Sequence, residues 1–402
     1  MSKIVTEDEV QRLYPRGYVV ISVDAIRENL VNMHRHCGQP LYCVVKANAY
    51  GHGAALIAPY LEAADYVKGF ATATVHEALE LREAGIKKEI LVLGTAFPTE
   101  YETAIRHQIT LTVYRSEDAR EMNRIAASLQ SGLQVHIALD TGMGRIGLPV
   151  DSSSLPVIRE ILSYPQLEVS GMFTHFARAD EEDDGFTEVQ LQRFQWIRSQ
   201  LADVDIPCWH VSNSAAVMAT PAIRSDAGRA GIAMYGIYPS AEVRRHYVDG
   251  DHTNSFTLRP VLSWYSCIAH IKEVEAGTPI SYGSTFIAPD RMRIATIPIG
   301  YGDGYPRALS NVGFVLIQGQ RCPIIGRICM DQFMVDISSL AQAKLFEPVV
   351  LLGEQEADCL SLEEITALYN GFDYEFLCDI NLRVPRLAKL AAKDGPNLLI
   401  AE

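Results

Sequence analysis

The amino-acid sequence predicts an α/β fold joined to a β fold: an N-terminal (β/α)8 barrel and a C-terminal, mostly antiparallel β domain. Two observations carry this. Over roughly the first 240 residues, eight short apolar runs alternate with amphipathic stretches, the pattern of parallel strands joined by crossover helices. After about residue 250 the runs turn β-branched, alternate with period two and are punctuated by glycine and proline. A doubly wound open sheet fits the periodicity of the first part too, but eight units favour closure into a barrel. The expected domains are 1–248 and 249–402, with the polar segment 241–255 as linker.

The elements follow in order. PLYCVVKA (40–47) reads as the first strand, and a helical pattern follows at 54–64. KGFATAT (68–74) leads into VHEALELREAG (75–85), where Val75, Ala78, Leu79 and Arg82 recur at helical spacing and Gly85 ends the helix. ILVLG (90–94), TLTVY (110–114), QVHIALD (134–140), LEVSGMF (167–173), CWHVS (208–212) and the run at 227–236 supply the remaining strands. In the second part VLSWYSCIAHIKEV, MRIATIPIGY, VGFVLIQGQRCPIIGRICMDQFMVDI and EPVVLLG read as strands, with a single helical candidate at 361–369.

Composition narrows the function classes. With 48% apolar and 21% charged residues, the chain has what a folded core requires and is not of the disordered type. Its net charge of −14 disfavours binding to nucleic acid, whose phosphates call for a basic face. No apolar run approaches the ~20 residues of a membrane span. MSKIVTEDEV lacks the basic-then-apolar pattern of a signal peptide, so a cytoplasmic protein is expected. The eight cysteines include no C-x-x-C pair and read as free thiols, and His34 and His36 lack metal-ligand spacing and read as helix-surface residues. No metal site is expected.

Barrel enzymes carry their reactive groups at the carboxyl ends of the strands. Lys46 ends the first strand, Arg145 follows the fifth, His175 the sixth, Asn213 and Ser214 the seventh, and Arg229 with Gly231 the eighth. Lys46 is the only charged side chain between Arg35 and Glu62. Desolvation lowers a lysine pKa and makes the neutral amine a nucleophile that forms Schiff bases with carbonyls. A lysine snorkelling from a strand end to water explains the same pattern equally well. Small residues at 213–214 and 231–232 suit phosphate binding by backbone amides. GYGDGY (300–305) has no strand–helix context and reads as a turn cluster rather than a nucleotide loop, and ADEEDDG (179–185) reads as a solvated acidic loop.

At VVKANAYGHG (44–53) the chain resembles the alanine racemases, pyridoxal 5′-phosphate enzymes with a barrel domain and a β domain. The likeness continues through DTGMGRIG (140–147), MFTHFA (172–177), HVSNSAAV (210–217) and RAGIAMYG (229–236). It resumes in SYGSTF (281–286), IGYGDGYPR (299–307), CMDQFMVDI (329–337) and RVPR (383–386), all in family order. The resemblance implies that Lys46 holds the cofactor as a Schiff base. Tyr50, Asn213, Ser214, Gly231 and Ile232 would hold its phosphate. Arg229 would face the pyridine nitrogen, oriented by His210, while His175 lies against the ring and Arg145 meets the phenolic oxygen. An arginine does not yield its proton to the ring nitrogen, which weakens the electron sink and disfavours side reactions. Lys46 and Tyr282 would be the two bases, one on each face of the substrate. Arg145, Met330, Asp331 and Tyr301 match substrate-binding positions. In the family Tyr282 and Met330 come from the partner subunit, which implies a homodimer with shared sites.

Two departures stand out. Ala138 occupies the place where many family members carry a carbamylated lysine, leaving Arg145 without its usual anionic neighbour. Leu382 stands directly before RVPR, where the family usually has a tyrosine, so a hydroxyl is lost on the side of the pocket that limits substrate size. The expected function is therefore an isomerase of D-alanine biosynthesis, interconverting L- and D-alanine. The alternatives are a serine or broader-specificity racemase, a cofactor-binding protein without turnover, and a decarboxylase with a related barrel. Tyr282 and the β domain argue against the second of these, and DTGMGRIG against the third.

Overall fold

The eight apolar runs of the first part form eight parallel barrel strands in the computed structural model, which describes residues 3–181, 185–220, 222–248, 256–390 and 397–400. They are β1 (Leu41–Val44), β2 (Val67–Thr72), β3 (Glu89–Thr95), β4 (Thr110–Val113), β5 (Leu133–Asp140), β6 (Leu167–Phe173), β7 (Trp209–His210) and β8 (Gly228–Ala230). Their spatial order is β7-β6-β5-β4-β3-β2-β1-β8, and a bridge between His210 and Ala227 nearly closes the ring. β1 and β4 are buried at every position, because crossover helices cover a parallel sheet outside while side chains fill the barrel. This is why they read as unbroken apolar runs. Helix Val75–Glu83 buries Val75, Ala78 and Leu81, and starts at a capping box in which Thr74 and Glu77 satisfy each other's backbone amides. The barrel unit comprises residues 25–49 and 57–260.

The polar interior of the barrel depends on two glycines. A methyl group on Gly171 would stand 2.6 Å from the His136 ring, and one on Gly69 would stand 2.6 Å from the Glu89 carbonyl oxygen. Only glycine leaves room at these two positions for the neighbouring strands' side chains and backbone.

The second unit holds residues 1–24, 50–56 and 261–402. Its main sheet runs Lys3–Val5, Asn397–Ile400, Arg386–Leu390, Gly17–Ser22, Leu262–Cys267, Pro348–Gln355, Phe314–Ile317, Gln320–Ile325, Phe333–Asp336, Met292–Ile297, His270–Val274. Every pair is antiparallel except Gly17–Ser22 against Arg386–Leu390. Its core is aromatic: Trp264 meets Tyr305 edge-on at 5.7 Å, and Tyr305 stacks on Phe333 at 5.2 Å. Full burial of a ring such as Phe333 contributes roughly 1.5–3 kcal/mol.

Three expectations are corrected. The barrel domain does not begin at residue 1, since Gly17–Ser22 pairs with Leu262–Cys267 in the second unit. Its burial alternates along the strand, as suits a sheet covered on one face rather than a barrel wall. A second helix, Asp373–Asp379, follows Leu362–Ala367; it has seven residues, too few for a period to show. The start of the expected linker is helical, Ala241–Val248, with Val243 and Tyr247 buried four residues apart. Residues 249–255, beside the expected domain boundary, and 182–184 of the acidic run lie outside the described residues.

Candidate active site

At the carboxyl ends of the barrel strands a cavity of about 330 Å³ is lined by Lys46, Arg145, His175 and Arg229, with Ala138 and Phe173 among its walls. Lys46 arrives there because β1 ends at Val44 and the chain then turns the unusual way. Ala47, Asn48 and Ala49 all adopt left-handed helical angles, with φ of 50°, 52° and 57°. Left-handed helical turns cost L-residues roughly 1–2 kcal/mol each, so surrounding contacts must hold them. One holder is Glu77, whose carboxylate accepts the Ala47 N–H at 2.6 Å and the Ala73 N–H at 2.8 Å. The turn ends at Tyr50, buried, with its ring edge-on to Tyr374 at 6.0 Å.

Arg229 is buried, and both terminal nitrogens of its guanidinium are engaged by the protein. They reach the carbonyls of Thr174 (2.7 Å), Val211 (3.0 Å) and His210 (3.2 Å), as well as His210 Nδ1 at 2.9 Å and His175 Nδ1 at 3.3 Å. Burial and the nearby Arg145 push its pKa down to about 10, which leaves it charged at neutral pH. Burial, followed by the charges of Arg229, Arg145 and Lys46, pushes His175 down to about 2. The ring is therefore a neutral imidazole throughout the physiological range. His210, fully buried behind Arg229, is lowered well below its usual value by the same two causes, burial and the Arg229 charge.

These depressed imidazoles set a pH dependence. Above about pH 6.5 both rings are neutral, folded or unfolded, and contribute no slope. Below it the unfolded chain takes up protons that the folded chain refuses. Stability of the cofactor-free chain is expected to fall by up to ~1.4 kcal/mol per pH unit for each ring. Urea melts at pH 7, 6 and 5 check this; His175→Asn should flatten the slope, and an unchanged slope would refute the assignment.

The other barrel residues named from the sequence flank the cavity without lining it. Asn213 caps helix Ser214–Ala219 by accepting the Ala216 N–H at 3.0 Å. The Ser214 hydroxyl accepts the Gly231 N–H at 2.8 Å, and Ile232 opens the following 3-10 turn. Arg145 lies exposed at the rim and makes no hydrogen bond or ion pair among the described residues. Water can solvate it there, so the loss of an anion at Ala138, itself buried in the cavity wall, leaves no uncompensated buried charge.

The second unit gathers the remaining residues at its own surface. Tyr282 is 69% exposed, Met330 54% and Tyr301 43%. The loop around Cys329 joins them: Ser281 donates to the Arg327 carbonyl, while the Tyr301 and Gly302 amides donate to the carbonyls of Cys329 and Met330. Asp303, wholly buried, fixes this turn by accepting from Arg16, Arg383 and the Gly300 amide, and Arg383 also reaches Asp331 at 2.9 Å. Leu382 is 80% exposed.

Sequence reasoning missed Glu77, Glu89, His136 and Asp303. Thr74-x-x-Glu77 is a legible capping box, and a histidine inside the apolar run QVHIALD is a legible anomaly. Asp303 was visible only as part of a turn cluster.

The comparisons with known proteins agree in both halves of the chain. The model of the alanine racemase N-terminal domain matches residues 21–239, and that of the C-terminal domain matches residues 261–388. An alanine racemase of Clostridium tetani is 40% identical over 371 residues, covering 91% of this chain and 94% of that protein. The solved alanine racemase of Clostridium difficile 630 superposes with a TM-score of 0.88 at 38% identity, covering 96% of this chain and 98% of that one. The histidine racemase of Leuconostoc mesenteroides subsp. sake has a TM-score of 0.85 at 27% identity, covering 93% of this chain and 98% of its own.

Proposed function

The chain belongs to the alanine racemase family, and on that premise we propose that it interconverts L- and D-alanine with pyridoxal 5′-phosphate by a two-base mechanism. The observation that carries this reading is the cavity that gathers Lys46, Arg145, His175 and Arg229. Its donor set fits the cofactor. An amine is present for the aldehyde, a guanidinium that only donates for the ring nitrogen, and a neutral imidazole for the ring face. The volume of about 330 Å³ falls within the ~300–1,000 Å³ usual for cofactor pockets. When bound, pyridoxal phosphate draws electron density from the substrate Cα and so makes its proton removable.

In this reading Lys46 would anchor the cofactor and would take or return the substrate's Cα proton on one face. Arg229 would hold the ring nitrogen as a donor, and Arg145 would meet the phenolic oxygen. The Ser214 hydroxyl with the Gly231 and Ile232 amides, together with Tyr50 and Asn213, takes the phosphate. Tyr282 of the partner subunit serves the opposite face, with the partner's Met330, Asp331 and Tyr301 at the substrate carboxylate and entrance. The strong exposure of Tyr282 and Met330 supports their delivery into a partner's site. A cytoplasmic setting accords with eight cysteines that are all free thiols. No helix among the described residues is long and apolar enough to cross a membrane.

A wider amino-acid range is the second reading, favoured by Leu382 in place of a tyrosine and by Ala138 in the cavity wall. Polarimetry over a panel of L-amino acids tests both. Loss of rotation fastest with L-alanine is expected; faster loss with L-serine or larger residues establishes the second reading, and no loss with any of them overturns both.

A further inference from the structure

Behind Arg229 a line of polar side chains crosses the barrel interior. Arg229 donates to His210 Nδ1 at 2.9 Å, and His210 Nε2 stands 3.0 Å from His136 Nδ1. His136 Nε2 stands 3.2 Å from Glu89 Oε1, off the line of an ideal hydrogen bond, and neither atom has another hydrogen-bond partner. The other Glu89 oxygen accepts the Tyr42 hydroxyl at 2.6 Å. Both imidazoles are fully buried, and Gly171 and Gly69 leave the space around this line.

The proton positions in this line follow from its two ends. A guanidinium only donates, so His210 must present a bare Nδ1 and carry its proton on Nε2. That proton can go only to His136 Nδ1, which places the His136 proton on Nε2, facing Glu89. A carboxylate only accepts, so the far end demands the same order. The positive Arg229 and the negative Glu89 are thus joined by two neutral rings, each locked in one tautomer. Burial alone would raise the Glu89 carboxyl pKa, but His136, the Tyr42 hydroxyl and the nearby Lys68 outweigh it and hold the group ionised.

We propose that Glu89 and His136 are positioning residues of the active site: through two imidazoles the carboxylate holds from the far end the tautomer order that Arg229 requires from the near end, and so keeps Arg229 fixed. This rests on the reading that Arg229 faces the cofactor ring. Without the carboxylate the order is held from the Arg229 end alone and the buried His136 Nε2–H loses its acceptor, so part of the population moves the His136 proton to Nδ1; His210 then carries its own on Nδ1, and that N–H confronts the Arg229 donor. The guanidinium must shift or the line must break.

The test compares wild type with Glu89→Met and Glu89→Gln, reading two quantities. The first is the tautomer of each histidine ring by 15N NMR on the cofactor-free chain, which does not depend on the cofactor reading. Wild type should show both rings protonated on Nε2, and Glu89→Met, with the order held only from the Arg229 end, should show a mixture in which Nδ1–H appears at His136 and His210. The second is the fraction of turnovers that end in transamination of added pyridoxal phosphate. It should rise by about tenfold or more in Glu89→Met, the scale of one lost hydrogen bond to a charged group. Glu89→Gln keeps the shape, and its amide offers His136 either an acceptor or a donor, so mixed tautomers and an intermediate fraction are expected. It carries the test should Glu89→Met fail to fold. Wild-type tautomers in the folded variants overturn the proposal. Altered tautomers in a chain whose wild type binds no pyridoxal phosphate overturn instead the reading of the cavity.

Discussion

Lys46→Ala is expected to abolish racemisation in both directions, by roughly 10⁴-fold or more, because in the proposed mechanism one residue both anchors the cofactor and moves a proton. Its backbone is held independently of its side chain: Glu77 binds the Ala47 and Ala73 amides, and the left-handed turn follows regardless of what residue 46 carries. The variant should therefore fold, with a melting curve near that of wild type, and still admit the cofactor non-covalently through Arg229 and the Ser214–Gly231 pair. Borohydride treatment followed by mass measurement decides the matter. Wild type should retain the cofactor's mass on the peptide containing Lys46, and the variant should not. A variant that keeps a reducible linkage and near-normal turnover would show that the anchor lies elsewhere.

Tyr282→Ala should cost roughly 10²–10⁴-fold in racemisation, the usual contribution of a positioned acid or base, and the damage should be lopsided. Proton abstraction from L-alanine suffers most, while exchange of the D-alanine Cα proton with solvent deuterium, served by Lys46, survives in part. Equal, small losses from both isomers would remove the two-base assignment. The side chain is 69% exposed, so its loss leaves no cavity and folding is expected to be unaffected. The same two variants test the shared site. In the proposed dimer with shared sites, mixing inactive Lys46→Ala and Tyr282→Ala chains under conditions that exchange subunits would leave one site with both bases. Activity should return to a fraction of wild type; silence in a verified heterodimer would mean that each chain uses its own tyrosine.

The barrel was legible because its strands are largely buried, β1 and β4 at every position, so they read as mostly apolar runs, and because a helix must return the chain between parallel strands. The reactive ends were legible for a related reason. A charged or polar residue at the end of such a run, as with Lys46 after LYCVV or His175 after MFT, has few places to go but the rim of the barrel. The β-rich unit was legible as a class, since period-two alternation survives in VLSWYSC and MRIATI. Its inclusion of Gly17–Ser22 was not, because a strand's period reports which face is covered and never which partner lies beside it.

What the sequence determined by itself is thus local: where the chain runs extended and apolar, where a lysine interrupts it, and which short segments resemble the racemases. What only the tertiary structure decided is the company those residues keep. Ala47 to Ala49 turn left-handed although nothing in KANAY requires it, because a carboxylate 30 residues away holds the turn's first amide. Tyr42, Glu89, His136, His210 and Arg229 come from five different strands. Separately each is a polar residue that an apolar run would rather exclude. Only when the sheet nearly closes do their donors and acceptors meet in sequence. The physical reason is that burying a polar group is unfavourable until its partner arrives, and the partner is set by strand order, which no single run of residues encodes.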